Sequence, residues 1–413
     1  MLPVWLSDLR GAFWLLAAAV AARKARLPVP SSALWILSGT CSAGLAFSVA
    51  FYIHTARTVF NRRPPFAILP FWRHLMITRP LEAVWRFLTV PLRVYPDFLL
   101  LGEVRTGTTS MAAYLRSIGC IGPFSAWIQP LANDKESLYF AGHYFGLVHP
   151  GAYRMCFPLK FTMWLSEKWY GARPVVFDGC ASHLTAPWAA RLISAVCPEA
   201  TLLVIVRKPE EQHRSWWRLE RNAIIWGKSM GMGEDFLMKN YPPKSLLDAV
   251  SWSKTDEVEA LYREGESAGE EVLGSRGGRG GLLAALLAPR IDERLLPFPG
   301  GQLLALSRMG NYAQNIRRYL KFFKPEQLVI AETEELAKPG GAAAVARRLA
   351  ARSAALAALQ AEGVPPADVP RLNESALLPP DLEPSEEDLR QIARGYREAN
   401  EELGLLMGRR LDW

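Results

Sequence analysis

The stretch Asp97–Met111 reads DFLLLGEVRTGTTSM and decides the fold. Its first residues are apolar and predict a buried strand, and a helix is expected to follow from about Thr108. A loop bounded by Gly102 and Gly107 separates the two elements. The amides of such a loop, together with the amino end of the helix, form an electropositive cup for a phosphate group. The pattern therefore predicts a strand, loop and helix that bind phosphate.

Four residues separate Gly102 from Gly107, which is the spacing of the phosphate loop in nucleotide triphosphatases. Those loops continue with Lys and then Ser or Thr, whereas this chain continues with Thr108 and Thr109. The lysine that clamps a γ-phosphate is absent from its usual position, and Arg105 is the cation available instead. This departure disfavours a nucleotide kinase, which stays as an alternative function. Kinases and ATPases need Mg²⁺ together with this γ-phosphate clamp, so no metal ion is predicted where the clamp is missing.

Further apolar runs, rich in β-branched residues, alternate with helical patterns. This alternation is typical of a parallel sheet covered by helices on both faces. The predicted strands are Asp97–Leu101, Val175–Phe177, Leu202–Val206 and Leu328–Ala331. The expected fold class is α/β, with a P-loop-type central parallel sheet flanked by helices. Two stretches look inserted: Gly- and Arg-rich residues 264–301 predict a surface loop, and Ala-rich residues 340–363 predict a helix.

A second candidate phosphate site lies in Thr201–Trp217, which reads TLLVIVRKPEEQHRSWW. Arg207 follows a buried strand, at the sheet edge where open α/β folds bind ligands. Pro209 fits the first turn of a helix, and Ser215 lies about two turns further on. The guanidinium of Arg207 can bind a phosphate with two parallel hydrogen bonds. Read alone, the same segment also fits an arginine in a surface ion pair.

Together these segments resemble the donor-binding motifs of sulfotransferases that use 3′-phosphoadenosine-5′-phosphosulfate (PAPS). The hexapeptide RTGTTS at 105–110 resembles their 5′-phosphosulfate loop, and Arg207 and Ser215 match their 3′-phosphate signature. Three more segments are similar to the membrane-bound heparan- and chondroitin-type enzymes: Lys135–Phe140 (KESLYF), Met309–Leu336 and Asn400–Trp413. The resemblance covers about residues 96–262 and 302–413.

The resemblance implies PAPS as the sulfonate donor and, as the acceptor, a hydroxyl or amine of a carbohydrate. It implies Glu136 as the catalytic base and Arg105 as a catalytic cation on the departing phosphate. The donor-binding residues that it implies are Arg105, Thr106, Gly107, Thr108, Thr109, Ser110, Arg207 and Ser215. His143 and His183 are competing candidates for the base.

Two segments depart from the family's pattern. Residues 178–182 read DGCAS where relatives have Asp or Glu, two residues, and then Pro-x-Tyr, so contacts to the acceptor are in doubt there. Relatives also carry a late basic loop over the 3′-phosphate, whereas Arg371 is the one basic residue between 362 and 379. A non-catalytic, membrane-anchored protein that binds glycans or nucleotides therefore stays as a further alternative.

The run Ala33–Ile53 contains 21 residues and no charged side chain. As a helix it would reach across the ~30 Å hydrocarbon core of a bilayer, so a transmembrane helix is predicted, with a buried core helix as the alternative. The predicted order is an N-terminal segment (1–32), the span (33–53), a basic stem (54–95) and a sulfotransferase domain (96–413). The charges on either side of the span are nearly balanced and do not fix its orientation. The resemblance implies a single-pass Golgi protein with a lumenal catalytic domain.

The composition of the chain limits the kinds of molecule and metal ion that it is expected to bind. The 413-residue chain has a formal net charge of +8, which suits anionic partners, but it has no dense Lys/Arg stripe of the kind that binds nucleic acid. None of the five cysteines forms a CxxC pair, so a zinc site is not expected. Four of them fit either two disulfides or buried thiols: Cys120, Cys156, Cys180 and Cys197. The sequence indicates no oligomeric state.

Overall fold

The computed structural model describes residues 88–123, 135–137, 139–140, 150–229, 245–274, 306–352 and 376–413, together with Arg86 and Leu356. The predicted transmembrane helix 33–53, the segment 1–32 before it and nearly all of the stem 54–95 lie outside these residues. Of the helices in the described ranges, none combines the length and the apolar character needed to cross a membrane.

A sheet of four parallel strands forms the centre of the domain, in the order β2-β1-β3-β4. The strands are β1 (Phe98–Gly102), β2 (Phe177–Asp178), β3 (Thr201–Val206) and β4 (Leu328–Glu332). Every residue of β1 and β3 is buried, as their uninterrupted apolar sequences predict. The predicted α/β class with a central parallel sheet is confirmed.

Twelve α-helices lie in the described ranges. Those before β4 are α1 (Thr108–Ser117), α2 (Lys160–Tyr170), α3 (Ala189–Val196), α4 (Pro209–Ser229), α5 (Leu246–Trp252), α6 (Asp256–Gly274), α7 (Leu306–Met309) and α8 (Tyr312–Leu320). Those after it are α9 (Thr333–Leu336), α10 (Gly341–Ala350), α11 (Glu386–Gly395) and α12 (Arg397–Met407). Short 3₁₀ helices cover Val90–Leu92, Pro150–Cys156, Ala181–His183 and Pro325–Gln327.

The helices cover both faces of the sheet. Successive side chains of a strand point to opposite faces, so Leu99 and Leu101 enter one core and Phe98 and Leu100 enter the other. The second core contains α1 and α10, and the first contains α3, α5, α8 and α12. The carboxyl ends of β1 and β3 therefore emerge at one edge, between helical layers, where a ligand can bind.

Two predicted boundaries need correction. Residues 264–274 of the predicted loop insertion 264–301 are helical, because α6 continues to Gly274. This part of the insertion contains four Glu residues, which favour a helix, and the run GSRGGRGG begins only at its last residue, Gly274. The rest of the insertion lies outside the described residues. The predicted Ala-rich helix 340–363 exists as α10 but ends at Ala350.

The two alternatives for the cysteines are resolved in favour of thiols. Cys120, Cys156, Cys180 and Cys197 are all free and buried. Burial raises the pKa of each thiol above its ordinary value, so these side chains stay protonated and unreactive at neutral pH.

Candidate active site

The phosphate loop leaves β1 through a glycine that no other residue can replace. Gly102 has a φ of 139°, and a side chain there would overlap the carbonyl oxygen of Ala181. Gly107, at the amino end of α1, has a φ of 93°. Both backbones lie where L-residues are strained, so these glycines are required by geometry. The loop between them brings its amides to the start of α1, as the sequence predicts.

The two predicted phosphate segments meet. Arg105 donates from Nε to Oγ of Ser215 over 3.0 Å, and Arg207 donates from Nη1 to the carbonyl oxygen of Arg105 over 3.3 Å. Glu211 accepts from Nε and Nη2 of Arg207 over 3.2 and 3.1 Å, which orients its guanidinium. Arg105, Ser215 and Arg207, which the sequence places on separate elements, therefore form one basic cluster at the carboxyl edge of the sheet.

This basic cluster is suited to an anion. Burial and, second, the nearby charge of Arg207 lower the pKa of Arg105 to about 10, so that Arg105 is still protonated at neutral pH. Two guanidinium groups held side by side repel each other, and a bound anion relieves that repulsion. Arg105 also has a φ of 67°, a conformation that costs free energy for a residue with a side chain. The hydrogen bond from Arg207 to its carbonyl holds this conformation.

Two side chains that the sequence did not single out brace the loop. Gln212 donates from Nε2 to the carbonyl of Val104 over 2.8 Å. Thr333 donates from Oγ1 to the carbonyl of Thr106 over 2.7 Å and also lies 3.1 Å from the carbonyl oxygen of Val206. Thr333 directly follows β4, and that position at the carboxyl edge of a strand is the signal that would have found it.

The predicted donor-binding residues differ in where their side chains lie. Thr106 is fully buried, and both its amide and its hydroxyl donate to the carbonyl of Glu103, which closes the loop. Thr108 is buried in the first turn of α1, and Thr109 and Ser110 are half-buried beside it. The amino end of α1, with its backbone amides, is therefore the part of this segment best placed to meet a phosphate.

An acidic residue inside the loop, Glu103, is enclosed by protein. Glu103 is fully buried, and burial raises the pKa of its carboxyl well above the ordinary value. Its Oε1 accepts from the amide of Val104 over 2.8 Å, and its Oε2 has no hydrogen-bond partner. This shift favours the neutral form of the carboxyl, which adds no negative charge to the loop.

Glu136 lies at the surface of the same edge. Its carboxylate pairs with the ammonium of Lys135, and its side chain is 21% exposed whereas that of Lys135 is 6% exposed. Gly179 donates its amide to the carbonyl of Lys135 over 2.6 Å, which ties this segment to the chain that follows β2. The chain then reaches Ala181, whose carbonyl packs against Gly102 at the start of the phosphate loop. The segment of Glu136 is thus tied to the chain that follows β2, and the loop follows β1, the neighbouring strand.

Comparisons with known proteins agree with this site. No protein-family model matches the chain. It is similar to the bifunctional heparan sulfate N-deacetylase/N-sulfotransferase 1 of Caenorhabditis briggsae, with 24% identity over 174 residues, and to that of Caenorhabditis elegans, with 24% identity over 123 residues. The chain is similar to sulfotransferases. This confirms the resemblance that its motifs carry.

The similarity covers only part of this chain and only a small part of each relative. The matches cover 40% and 30% of this chain, and only 18% and 13% of the two curated relatives. A crystal structure of a sulfotransferase from Alicyclobacillus acidocaldarius is similar over 77% of this chain and 98% of its own, with a TM-score of 0.39 and 18% sequence identity.

The histidine candidate that the structure describes, His183, differs from Glu136 in its exposure. His183 is fully buried, its ring nitrogens have no hydrogen-bond partner, and burial lowers its pKa. His183 is thus enclosed by protein, whereas the side chain of Glu136 is partly exposed. His143 lies outside the described residues. His213 is also buried, with its ring nitrogens 3.2 Å from Gln212 and 2.9 Å from the hydroxyl of Tyr396, so it supports α4.

Within the described ranges, no three His, Cys, Asp or Glu side chains lie close enough together to hold a metal ion.

Proposed function

We propose that this chain is a sulfotransferase that moves a sulfonate group from PAPS to a hydroxyl or amine of a carbohydrate. The observation that carries the proposal is the contact of Arg105 with Ser215 and Arg207. It joins two phosphate-binding patterns that lie about a hundred residues apart in the chain, in the order that sulfotransferases use. A donor with phosphate groups at both its 3′ and 5′ positions fits a site with two such parts.

The residues present fit this donor. Arg105 and the amino end of α1 would hold the 5′-phosphosulfate end, and Arg207 and Ser215 would hold the 3′-phosphate. PAPS supplies a sulfonate group bonded to a phosphate that leaves readily. Arg105 would stabilise the negative charge that develops on that leaving phosphate. This assignment needs no metal ion, because the two guanidinium groups and the loop amides supply the positive charge.

Glu136 is the proposed general base. An attacking hydroxyl or amine must lose its proton as the new bond to sulfur forms, and a carboxylate within reach can accept that proton. Glu136 is exposed enough to meet an acceptor, and its carboxylate pairs with the ammonium of Lys135, which orients it. The name of the curated relatives points to a heparan-type polysaccharide as the acceptor, and the net charge of +8 suits an anionic polysaccharide.

Donor selectivity tests the proposal. By isothermal titration, the full-length chain should bind the desulfonated product adenosine 3′,5′-bisphosphate far more tightly than ATP or AMP. The reason is that ATP and AMP lack the 3′-phosphate that Arg207 and Ser215 would hold. Binding of ATP with equal or higher affinity, and only with Mg²⁺, would favour a phosphotransferase instead.

The cellular setting is part of the same proposal. The uncharged run Ala33–Ile53 supports a single-pass membrane anchor. The relatedness to enzymes of polysaccharide sulfonation supports a Golgi protein whose catalytic domain lies in the lumen.

A further inference from the structure

A buried carboxylate accepts hydrogen bonds from the segment that carries Glu136. Asp178, the last residue of β2, is fully buried. Its Oδ1 accepts from the amide of Ser137 over 3.0 Å, and its Oδ2 accepts from the hydroxyls of Ser137 and Tyr153, each over 2.5 Å. Three donors converge on one side chain, and two of them belong to the residue that follows Glu136.

Lys135, the residue before Glu136, is hydrogen-bonded to Gly179, the residue that follows Asp178 at the end of β2. Gly179 donates its amide to the carbonyl of Lys135 over 2.6 Å, and the ammonium of Lys135 lies 3.4 Å from the carbonyl oxygen of Gly179. Glu136 is therefore held from both sides by two consecutive residues, Asp178 and Gly179. Because β2 is hydrogen-bonded to β1 in the sheet, this attachment fixes Glu136 relative to the strand that leads into the phosphate loop.

Other charged or titratable groups around Asp178 do not take over this role. His183, on the 3₁₀ helix Ala181–His183, lies with Nδ1 4.0 Å from Oδ2 of Asp178, which is too far for a hydrogen bond. Cys156 and Cys197 are free thiols in the same core. The direct partners of the Asp178 carboxylate in the described residues are thus Ser137 and Tyr153.

We propose that Asp178 is a positioning residue for the sulfonate transfer: through Ser137 it aims the carboxylate of Glu136 at the acceptor. The inference rests on the proposed function of Glu136. A general base works only when it lies within hydrogen-bond reach of the proton that it removes, and a displacement of about 1 Å can cost on the order of 10²-fold in rate. Asp178 itself touches neither donor nor acceptor.

The expected result is a loss of turnover without a loss of donor binding. Asp178→Ala should lower kcat by about ten- to a hundredfold, because Glu136 is then free to leave its productive orientation. The affinity for adenosine 3′,5′-bisphosphate should stay near the parental value, because the hydrogen-bond partners of Asp178 are Ser137 and Tyr153, which are not among the proposed donor-binding residues. Ser137→Ala removes the hydroxyl link and keeps the backbone one, so its loss of kcat should be smaller, about three- to tenfold.

A double-mutant cycle decides whether Asp178 acts through Glu136. Turnover is measured for the full-length chain, for Asp178→Ala, for Glu136→Gln and for the double variant, and the same cycle is run with Ser137→Ala in case Asp178→Ala fails to fold. If Asp178 positions Glu136, either change should have little further effect once Glu136 is replaced.

The matched control is Asp97→Ala. Asp97 also accepts from a backbone amide, that of Val176 over 2.8 Å, but at the opposite end of the sheet.

The outcomes separate the two proposals. Losses of kcat that vanish in the Glu136→Gln background, with Asp97→Ala near parental turnover, support the positioning role. Losses of equal size in both backgrounds, or parental kcat in Ser137→Ala and Asp178→Ala, overturn it while leaving Glu136 as the base. Parental turnover in Glu136→Gln alone overturns the base itself, and with it the positioning role, whereas donor selectivity would still identify the sulfotransferase.

Discussion

Replacing Glu136 by Gln should lower the turnover number by about 10²–10⁴-fold, the usual contribution of a general base. Glutamine keeps the size of the side chain and can still hydrogen-bond to Lys135, but it cannot accept the proton of the acceptor. The affinity for the donor should be nearly unchanged, because the basic cluster of Arg105, Ser215 and Arg207 is intact in this variant. A fall in kcat with a constant donor affinity is the signature of a group that acts in the transition state.

The measurement is steady-state kinetics at saturating PAPS, on variants whose melting temperatures match that of the parent. Glu383→Gln is the matched control. The side chain of Glu383 is also 21% exposed and also pairs with a cation, Arg218, over 2.9 Å, but it lies outside the proposed site. Its replacement should leave turnover near the parental value. Near-parental turnover in Glu136→Gln would show that another group removes the proton.

Replacing Arg207 by Ala should weaken donor binding by about ten- to a hundredfold. A hydrogen bond to a charged group contributes about 1.5–3 kcal/mol, and this change removes such a contact from the 3′-phosphate. It also removes the hydrogen bond that holds the carbonyl of Arg105. Turnover at saturating donor should fall much less than affinity, because the 3′-phosphate is remote from the reacting sulfur.

Arg214→Ala is the control for this change. Arg214 lies on the same helix, α4, and its side chain is 31% exposed against 27% for Arg207. It pairs with Glu386 over 3.6 Å and is not one of the proposed donor-binding residues. Titration of adenosine 3′,5′-bisphosphate into both variants compares them directly. Equal affinities for the two variants would mean that Arg207 does not bind the 3′-phosphate.

Much of the fold could be predicted because its central strands are short, continuous and apolar. The sequence around Gly102 and Gly107 predicted the end of β1 and the start of α1 correctly, since a turn between a buried strand and a helix needs glycine at specific points. Arg207 was placed at the end of β3, and Pro209 at the start of α4, by the same local reasoning. The contact of Arg105 with Ser215 follows from these placements, but only once the strands are known to be neighbours.

The braces of the site could not be predicted, because they depend on residues far apart in the chain. Thr333 holds the carbonyl of Thr106 from 227 positions away, and Asp178 holds Ser137 from 41 positions away. Neither side chain belongs to a local pattern that distinguishes it from an ordinary polar residue at a strand end. The burial of Glu103 could not be predicted from the sequence either, since a glutamate in a loop is normally exposed.

The most direct test of the proposed chemistry is transfer of radiolabelled sulfonate from PAPS by the purified full-length chain. The acceptors should be a panel of polysaccharides that includes N-deacetylated and desulfated heparan-type chains, with a chondroitin-type chain for comparison. We expect label on at least one polysaccharide, formation of an equal amount of adenosine 3′,5′-bisphosphate, and loss of both in Glu136→Gln. Absence of label from every acceptor, together with transfer of phosphate from ATP, would contradict the assignment of this chain as a sulfotransferase.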